Sequence, residues 1–214
     1  MSRLFGSSLT KKIIMAAAGL FLIIFLLVHL GINLLLLSDN PDPFTKAAHF
    51  MASNYVVKVF EFILIGGFLI HIIWGLVLQI QNWLARPIRY NRVAQSQTSF
   101  WSKYMIYTGI VIGVFLFIHF INFWFIRLGL VEGDHENFYA LAQELFKLPV
   151  YLVIYLISIL ILAFHLNHAF QSAFQTFGLN HQTYTPFIKK LGLAYSILVP
   201  LAFASIPIII FFFK

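Results

Sequence analysis

The chain has 214 residues, of which 61% are hydrophobic and only 10% are charged, and its formal net charge is +7. Soluble domains are near half apolar and a quarter charged, so this composition excludes an ordinary soluble protein and predicts a membrane protein. The chain has no cysteine, which excludes disulfides, iron–sulfur ligation and thiol catalysis within it. Cytoplasmic loops of a membrane protein explain the positive charge better than nucleic-acid binding does.

Five apolar segments are each long enough to cross a bilayer core of about 30 Å. The sequence therefore predicts an all-α integral membrane bundle with one domain over residues 1–214. Turn residues separate the segments, as in "SDNPDP", "ARPIRYNR" and "GDHEN". The first segment has a basic flank like a signal peptide, but its apolar run is too long for one and no small-residue cleavage site follows, so we expect it to be retained. The predicted spans are residues 13–37, 56–84, 103–128, 149–173 and 187–213.

Basic residues are distributed unevenly between the two sets of connections. With the N-terminus in the cytoplasm, nine of the 14 basic residues lie on the inner side, whereas six of the seven acidic residues lie in outer connections. This asymmetry predicts a cytoplasmic N-terminus and an external C-terminus. The nine inner residues are Arg3, Lys11, Lys12, Arg86, Arg89, Arg92, Lys103, Lys189 and Lys190.

Histidine is costly in a hydrocarbon core and marks function by default. Four of the five predicted spans contain one, and the fifth has none. At 1.5 Å rise per residue, His29 and His119 lie roughly 24 Å from the inner face, whereas His71 and His165 lie roughly 22 to 24 Å from the outer face. The histidines therefore form an outer pair, His29 with His119, and an inner pair, His71 with His165. The two pairs are about 15 Å apart along the membrane normal.

Two histidines from different helices at one depth suit axial ligation of a b-type haem. Neutral imidazole is a good iron ligand, and iron with both axial positions filled transfers electrons rather than doing oxygen chemistry. One intramembrane histidine alone is equally well explained by a hydrogen bond to a neighbouring helix. Gly67 and Gly75 flank His71 and leave that helix face bare where a porphyrin would press. Gly109 and Gly113 either make similar room or allow close helix packing.

Two haems at two depths form an electron path across the membrane, which needs a donor at one end and an acceptor at the other. The chain has neither a dinucleotide motif nor a metal-cluster motif. It is therefore predicted to be one subunit of a larger complex, with a membrane quinone as its small electron partner.

The chain resembles the single-subunit, dihaem cytochrome b anchor of succinate:menaquinone oxidoreductases and fumarate reductases. The segments that carry the resemblance are each weak alone but follow one another in order, and the resemblance extends over all five spans. They are "FLLVHLGIN", "AAHFMAS", "LIHIIWG", "FIHFINFWFIR" and "FHLNHAFQSAFQTFGLN".

The resemblance implies two haem b groups, the outer one held by His29 and His119 and the inner one by His71 and His165. It also implies two partners on the cytoplasmic face of a bacterial membrane, a flavoprotein subunit with covalent FAD and an iron–sulfur subunit. Dicarboxylate chemistry would occur on the flavoprotein. This chain would exchange electrons between the iron–sulfur subunit and menaquinone in the lipid bilayer, and no nucleic-acid partner is expected.

Four other histidines are not predicted to bind iron. His168 lies one turn beyond His165, at headgroup depth, where it would hold a haem propionate or face the quinone or a partner subunit. His49, His135 and His181 lie in predicted loops and are expected to be solvated. His49 also lies within "AAHFMAS", so a role in ordering the outer quinone end is the alternative for it.

Glu61 is the only carboxylate inside a predicted span. As a catalytic residue it would accept the proton that quinol oxidation releases. As a structural residue it would pair with Lys58, three positions earlier in the same helix. The sequence leaves both roles open.

Haem propionates need cations or hydrogen-bond donors, and several residues are candidates. Asn33 and Asn122 would donate into the outer pocket or hydrogen-bond to a neighbouring helix. Arg127 is the candidate cation for the outer haem. Simple anchoring by the positive-inside rule explains most of the inner candidates equally well. The inner candidates are Arg86, Arg89, Arg92, Lys103 and Lys189.

Three other functions are compatible with the composition. A dihaem anchor of a hydrogenase or a formate dehydrogenase would have a four-helix core with different histidine spacing. A proton-coupled transporter would use the histidines as relays, but it predicts broken helices and further intramembrane acids. A purely structural anchor would bind no haem.

Overall fold

The computed structural model describes residues 8–85, 100–134 and 136–214. In these residues five helices are long and apolar enough to cross a membrane, which confirms the predicted all-α architecture and identifies a multi-pass membrane protein. The predicted spans agree with the helices to within a few residues at each end. The spans are Leu9–Leu37, Tyr55–Leu84, Tyr104–Arg127, Pro149–Thr176 and Thr185–Phe213.

The first spanning helix continues into a short 3-10 turn, and the third contains a π-helical segment near its end. We number the α-helices in chain order and keep these two irregular segments separate. The elements are α1 (Ser8–Leu34), the 3-10 turn Leu35–Leu37, α2 (Asp42–Ser53), α3 (Tyr55–Leu84), α4 (Phe100–His119), the π segment Phe120–Trp124, α5 (Phe125–Arg127), α6 (Phe138–Phe146), α7 (Pro149–Thr176) and α8 (Thr185–Phe213).

Local chemistry explains where several of the helices begin and end. Asn54 caps α3, because its Oδ1 accepts from the backbone N–H of Val56 at 2.9 Å. Pro149 opens α7, where a missing N–H costs no helical hydrogen bond. Helices α5 and α7 end just before Gly129 and Gly178, whose φ angles of 69° and 74° favour glycine.

Two short helices that the sequence does not predict, α2 and α6, cover one end of the bundle. Phe44 of α2 and Phe146 of α6 are buried in one apolar cluster with Leu36. The side chain of Gln143 in α6 donates to the carbonyl of Leu36 at 3.0 Å. These helices are too short to span a membrane, but their apolar faces close this end. We call it the capped end and the opposite one the far end.

Four of the spanning helices form a ring. Helix α1 packs against α3 and α7, and α4 completes the ring by contacting α3 and α7. In the described part of the chain the diagonal pairs, α1 with α4 and α3 with α7, make no extended packing contact.

Helix α8 lies outside the ring, along α1 and α7. The hydroxyl of Tyr195 donates to the carbonyl of Ile23 at 2.6 Å and joins α8 to α1. Pro200 and Pro207 are buried inside α8, and the helix remains continuous through both. Interior prolines of this kind are tolerated in membrane helices, where neighbouring groups satisfy the freed backbone.

Gly192 determines how closely α8 approaches α7. A Cβ at this position would lie 2.8 Å from the ring of Phe170, which is itself buried. We expect Gly192→Ala to lower the free energy of unfolding by about 1–3 kcal/mol, because the interface must separate or Phe170 must leave its rotamer. Thermal unfolding of the purified protein in detergent measures this change.

Gly31→Ala is the matched control on α1. Among the described residues, no atom lies within 4 Å of a Cβ built at Gly31, so alanine adds only its better helix propensity. Equal losses of melting temperature in the two variants would show that the contact with Phe170 is not the cause.

Candidate functional site in the bundle interior

Four histidines lie inside the ring of α1, α3, α4 and α7 and meet across its diagonals. His29 of α1 faces His119 of α4, with ring centroids 5.7 Å apart. His71 of α3 faces His165 of α7, with ring centroids 6.3 Å apart. The structure therefore brings together the same two pairs that their depths group in the sequence.

The two pairs lie at different levels of the bundle. His29 and His119 are nearer the capped end, and the other two are roughly 12 Å further along at 1.5 Å per residue. We call them the capped-end pair and the far-end pair. Phe68 lies near both levels and contacts Phe25 at 6.2 Å and Phe120 at 6.5 Å between ring centroids. Aromatic side chains thus accompany the histidines between the two levels.

Both rings of the far-end pair are hydrogen-bonded through Nδ1 to a neighbouring helix. The Nδ1 atom of His71 lies 3.4 Å from the carbonyl oxygen of Met15 in α1. The Nδ1 atom of His165 lies 3.0 Å from the hydroxyl of Thr108 in α4. Within the described part of the chain, Nε2 of these two rings has no hydrogen-bond partner.

His119 is the last residue of α4, where the π segment begins. Its Nδ1 lies 3.1 Å from the hydroxyl of Tyr155, and Asn122 donates to the same oxygen at 3.2 Å. A π turn accommodates one additional residue, and such turns are frequent at functional sites. Here the segment directs Asn122 towards α7. The helix–helix hydrogen bond considered for Asn122 is therefore present, and it ends on the residue that holds His119.

His29 is positioned mainly by ring packing. Its ring stacks on Phe25 at 5.2 Å and faces Phe203 of α8 at 5.8 Å. Asn33 donates to the backbone carbonyl of His29 at 2.8 Å, and its amide nitrogen lies 3.4 Å from the ring Nδ1. The polar partner of His29 therefore belongs to its own helix, unlike the partners of the other three.

Two glycines allow neighbouring helices to approach the far-end pair. A Cβ at Gly19 of α1 would lie 3.4 Å from Cε1 of His71. A Cβ at Gly109 of α4 would lie 3.6 Å from Cε1 of His165. Small residues therefore line both imidazoles on the side facing an adjacent helix.

The glycines on either side of His71 in α3 do not leave the bare face that the sequence predicts. A Cβ at Gly67 would lie 3.2 Å from the ring of Phe21, and one at Gly75 would lie 3.9 Å from the sulfur of Met15. Helix α1 fills this face. Gly113 differs, because no described atom lies within 4 Å of a Cβ built there. Close helix packing therefore does not explain Gly113.

Glu61 forms an interhelical ion pair near the capped end. Its Oε1 accepts hydrogen bonds from Nε1 of Trp124 at 2.6 Å and from the guanidinium of Arg127. The two charged side chains are 25% and 27% exposed, whereas Lys58 is exposed and pairs with neither. The alternative pairing of Glu61 with Lys58 is therefore wrong. Arg127, the candidate propionate partner, binds this carboxylate through its guanidinium.

The other histidines lie apart from the two pairs. His168 is partly buried on α7, one turn beyond His165, and His49 is exposed on α2. His181 is exposed in the turn before α8, where its ring stacks on Tyr184 at 5.0 Å and its Nδ1 accepts from the backbone N–H of Thr183. His181 thus acts as a turn residue.

Several basic candidates lie outside the described residues, and so does one histidine. No three histidine, aspartate or glutamate side chains come together as a metal cluster in the described ranges. The interior therefore offers histidine pairs rather than a larger ligand set. The residues outside the described ranges are Arg3, Arg86, Arg89, Arg92 and His135, together with the side chain of Lys103.

Tyr155 and Thr108 are site residues that the sequence reasoning missed. The helical rise gives a depth for hydroxyl side chains as well as for histidines. Tyr155 lies roughly 9 Å from the start of α7, and His119 roughly 12 Å from the end of α5. Matching depths would therefore have brought Tyr155 to the level of His119.

A scan against protein-family models finds no match, and neither a search of curated proteins nor a search of solved structures returns one. Any functional assignment therefore depends on the residues and geometry described above.

Removing one partner of the Glu61–Arg127 pair is expected to destabilise the protein more than removing both. In Glu61→Gln the guanidinium is left without its anion in apolar surroundings, whereas Glu61→Gln/Arg127→Gln leaves no unpaired charge. A double-mutant cycle on the unfolding free energy in detergent is expected to give a coupling of about 1–2 kcal/mol.

Lys58→Gln serves as the control, because it removes an exposed charge from the same helix without disturbing the pair. If the effects of Glu61→Gln and Arg127→Gln are simply additive, the ion pair does not hold α3 to α5.

Proposed function

We propose that this chain is the dihaem cytochrome b anchor of a succinate dehydrogenase or fumarate reductase complex, in a bacterial cytoplasmic membrane. One observation carries the proposal: four intramembrane histidines meet as two pairs across the diagonals of one helix ring. Isolated helix–helix hydrogen bonds would not require two imidazole pairs at two depths. The segments that resemble this class of anchor contain the same four histidines.

The ring separations fit bis-histidine ligation. With metal–imidazole bonds near 2.0 Å, two rings on opposite sides of one iron have centroids about 6 Å apart. The observed separations are 5.7 Å and 6.3 Å. Histidine ligands generally engage a carbonyl or another acceptor through the nitrogen that does not bind the metal. The contacts of His71 and His165 through Nδ1 are of this kind.

When bound, the two haems would supply one-electron transfer. His71 and His165 are proposed to ligate the far-end haem, and His29 and His119 the capped-end haem. The apolar side chains of the interior would exclude water from both sites. Aromatic contacts through Phe68 connect the two levels.

The proposed partners come from the resemblance to dihaem anchors. A flavoprotein with FAD and an iron–sulfur subunit are proposed to dock at the far end and to supply the redox groups for which this chain has no motif. Lys12, Lys189 and Lys190 are exposed at that end, as expected for a cytoplasmic face. If a hydrogenase or formate dehydrogenase subunit copurifies instead, the related dihaem anchor is the correct assignment.

Menaquinone is the proposed electron partner within the bilayer. Quinol oxidation releases two protons, and Glu61 is our candidate to accept one of them. Its carboxylate lies towards the capped end and is a quarter exposed, so a quinol in the lipid can reach it. Arg127 and Trp124 hold the carboxylate in a fixed position beside α5.

Haem content tests the proposal directly. The purified complex is expected to show a b-type α-band in the reduced-minus-oxidised spectrum, with two haems per chain. His165→Ala is expected to lose one haem and keep the other, because it removes one ligand of the far-end pair. His168→Ala, the matched variant one turn away, is expected to keep both.

A complex with no b-type band would contradict the proposal as a whole. If His168→Ala loses a haem and His165→Ala does not, the iron ligand on α7 is His168 and not His165.

Glu61→Gln is expected to reduce quinol turnover by about 100-fold while leaving the haem spectrum intact, because a positioned general base contributes at least that factor. Quinol oxidation by the purified complex, measured with an artificial electron acceptor, gives the rate. Glu144→Gln is the control, since Glu144 is an exposed carboxylate on α6 at the same end. Unchanged turnover in Glu61→Gln would rule out the proton-accepting role.

A further inference from the structure

We propose that Thr108 and Tyr155 are positioning residues, each holding one iron-binding histidine through its Nδ1 so that Nε2 faces the iron. The inference rests on the function proposed above. Thr108 acts on His165 in the far-end pair, and Tyr155 acts on His119 in the capped-end pair. Neither residue touches the iron, and each acts through the imidazole it contacts.

The hydrogen bonds of Thr108 determine the proton position on His165. A threonine hydroxyl has one hydrogen to donate, and that of Thr108 goes to the carbonyl of Met105 at 2.9 Å. Its 3.0 Å contact with Nδ1 of His165 can be a hydrogen bond at the same time only if the hydroxyl oxygen accepts from Nδ1, and this is the arrangement we infer. Nδ1 then carries the single hydrogen of the neutral imidazole. Nε2 is left with the lone pair that a metal requires.

The same reasoning applies to the other ring of the far-end pair. Nδ1 of His71 faces the carbonyl of Met15, and a carbonyl can only accept a hydrogen bond. Both rings of this pair therefore present an unprotonated Nε2. Because a backbone carbonyl is not removed by substitution, Thr108 is the side chain through which this arrangement can be tested.

At the capped-end pair the corresponding group is a phenol. Tyr155 is 5% exposed and Asn122 is 8% exposed, so both are shielded from solvent. The Tyr155 oxygen has two lone pairs. One accepts from Asn122 at 3.2 Å, and the other faces Nδ1 of His119 at 3.1 Å. If Nε2 of His119 bound iron, Nδ1 would carry the hydrogen of the neutral imidazole and would donate it to the phenol oxygen.

Removing either acceptor has a specific electronic consequence. An acceptor at Nδ1 increases the basicity of the ligating nitrogen, which stabilises ferric iron. Without it the reduction potential of that haem rises, and the ring loses one constraint on its orientation. Since Thr108 and Tyr155 serve different pairs, each substitution is expected to change one haem only.

The test uses the purified holo complex with potentiometric titration and low-spin ferric EPR spectra. Thr108→Val is expected to raise the midpoint potential of one haem, to move its EPR signal, and to leave the other haem unchanged. Tyr155→Phe is expected to do the same to the other haem. Thr108→Ser keeps the hydroxyl and is expected to retain the wild-type potential. The signal that His165→Ala removes identifies the far-end haem.

Two matched variants control for general disturbance. Tyr151→Phe changes a tyrosine one turn earlier on α7, and Thr176→Val removes a hydroxyl that donates to the carbonyl of Ser172 in its own helix. Both are expected to leave the two potentials unchanged. If they shift the potentials as much as Thr108→Val and Tyr155→Phe do, the inference is overturned.

The remaining outcomes separate this inference from the proposed function. If the wild-type complex contains two haems but their potentials are unchanged in Thr108→Val and Tyr155→Phe, the positioning roles are overturned and the proposed function remains intact. Loss of one haem in Thr108→Val supports the role if Thr108→Ser keeps both haems, and opposes it if the serine variant loses the haem too. A wild-type complex without haem overturns both proposals.

Discussion

A polar side chain inside the hydrocarbon core has to find its partners within the protein, because no water is available there. Three of the four interior histidines meet this requirement through groups on another helix: the carbonyl of Met15, the hydroxyl of Thr108 and the phenol of Tyr155. Each contact fixes the rotation of one helix relative to its neighbour. Among the described residues, the helices on the diagonals of the ring make no extended packing contact, and the imidazole pairs connect them.

The same requirement explains the irregular end of the third spanning helix. Near this end, side chains contact three different neighbours: His119 contacts α1, Asn122 contacts α7 and Trp124 contacts α3. In a regular α-helix, the angles between such side chains around the helix axis are fixed. A π segment changes those angles by accommodating an extra residue. The hydrogen bond from Asn122 to Tyr155 and those from Trp124 and Arg127 to Glu61 all start within this segment or directly after it. One irregular segment therefore positions side chains of both the ion pair and the histidine network.

The spanning helices and the grouping of the four histidines were predictable because apolar length and helical rise are properties of a single helix. Partners between helices were not, since they depend on how each helix is rotated and how close its neighbour lies. Glu61 pairs with Arg127 across an interface instead of with Lys58 in its own helix. The sequence indicates open space beside Gly67, but the ring of Phe21 in α1 occupies it. These contacts form between helices, so no sequence pattern within a single helix indicates them.

The two histidine pairs differ in how the chain holds them. Around the far-end pair, a backbone carbonyl and a hydroxyl that also contacts Met105 hold the two rings through their Nδ1 atoms. Around the capped-end pair, ring packing holds His29, and a phenol shared with Asn122 holds His119. Under the proposed function, identical iron ligands would thus be tuned by chemically different partners. Since ligand basicity sets the potential, one bundle can hold two haems at different potentials without changing a ligand.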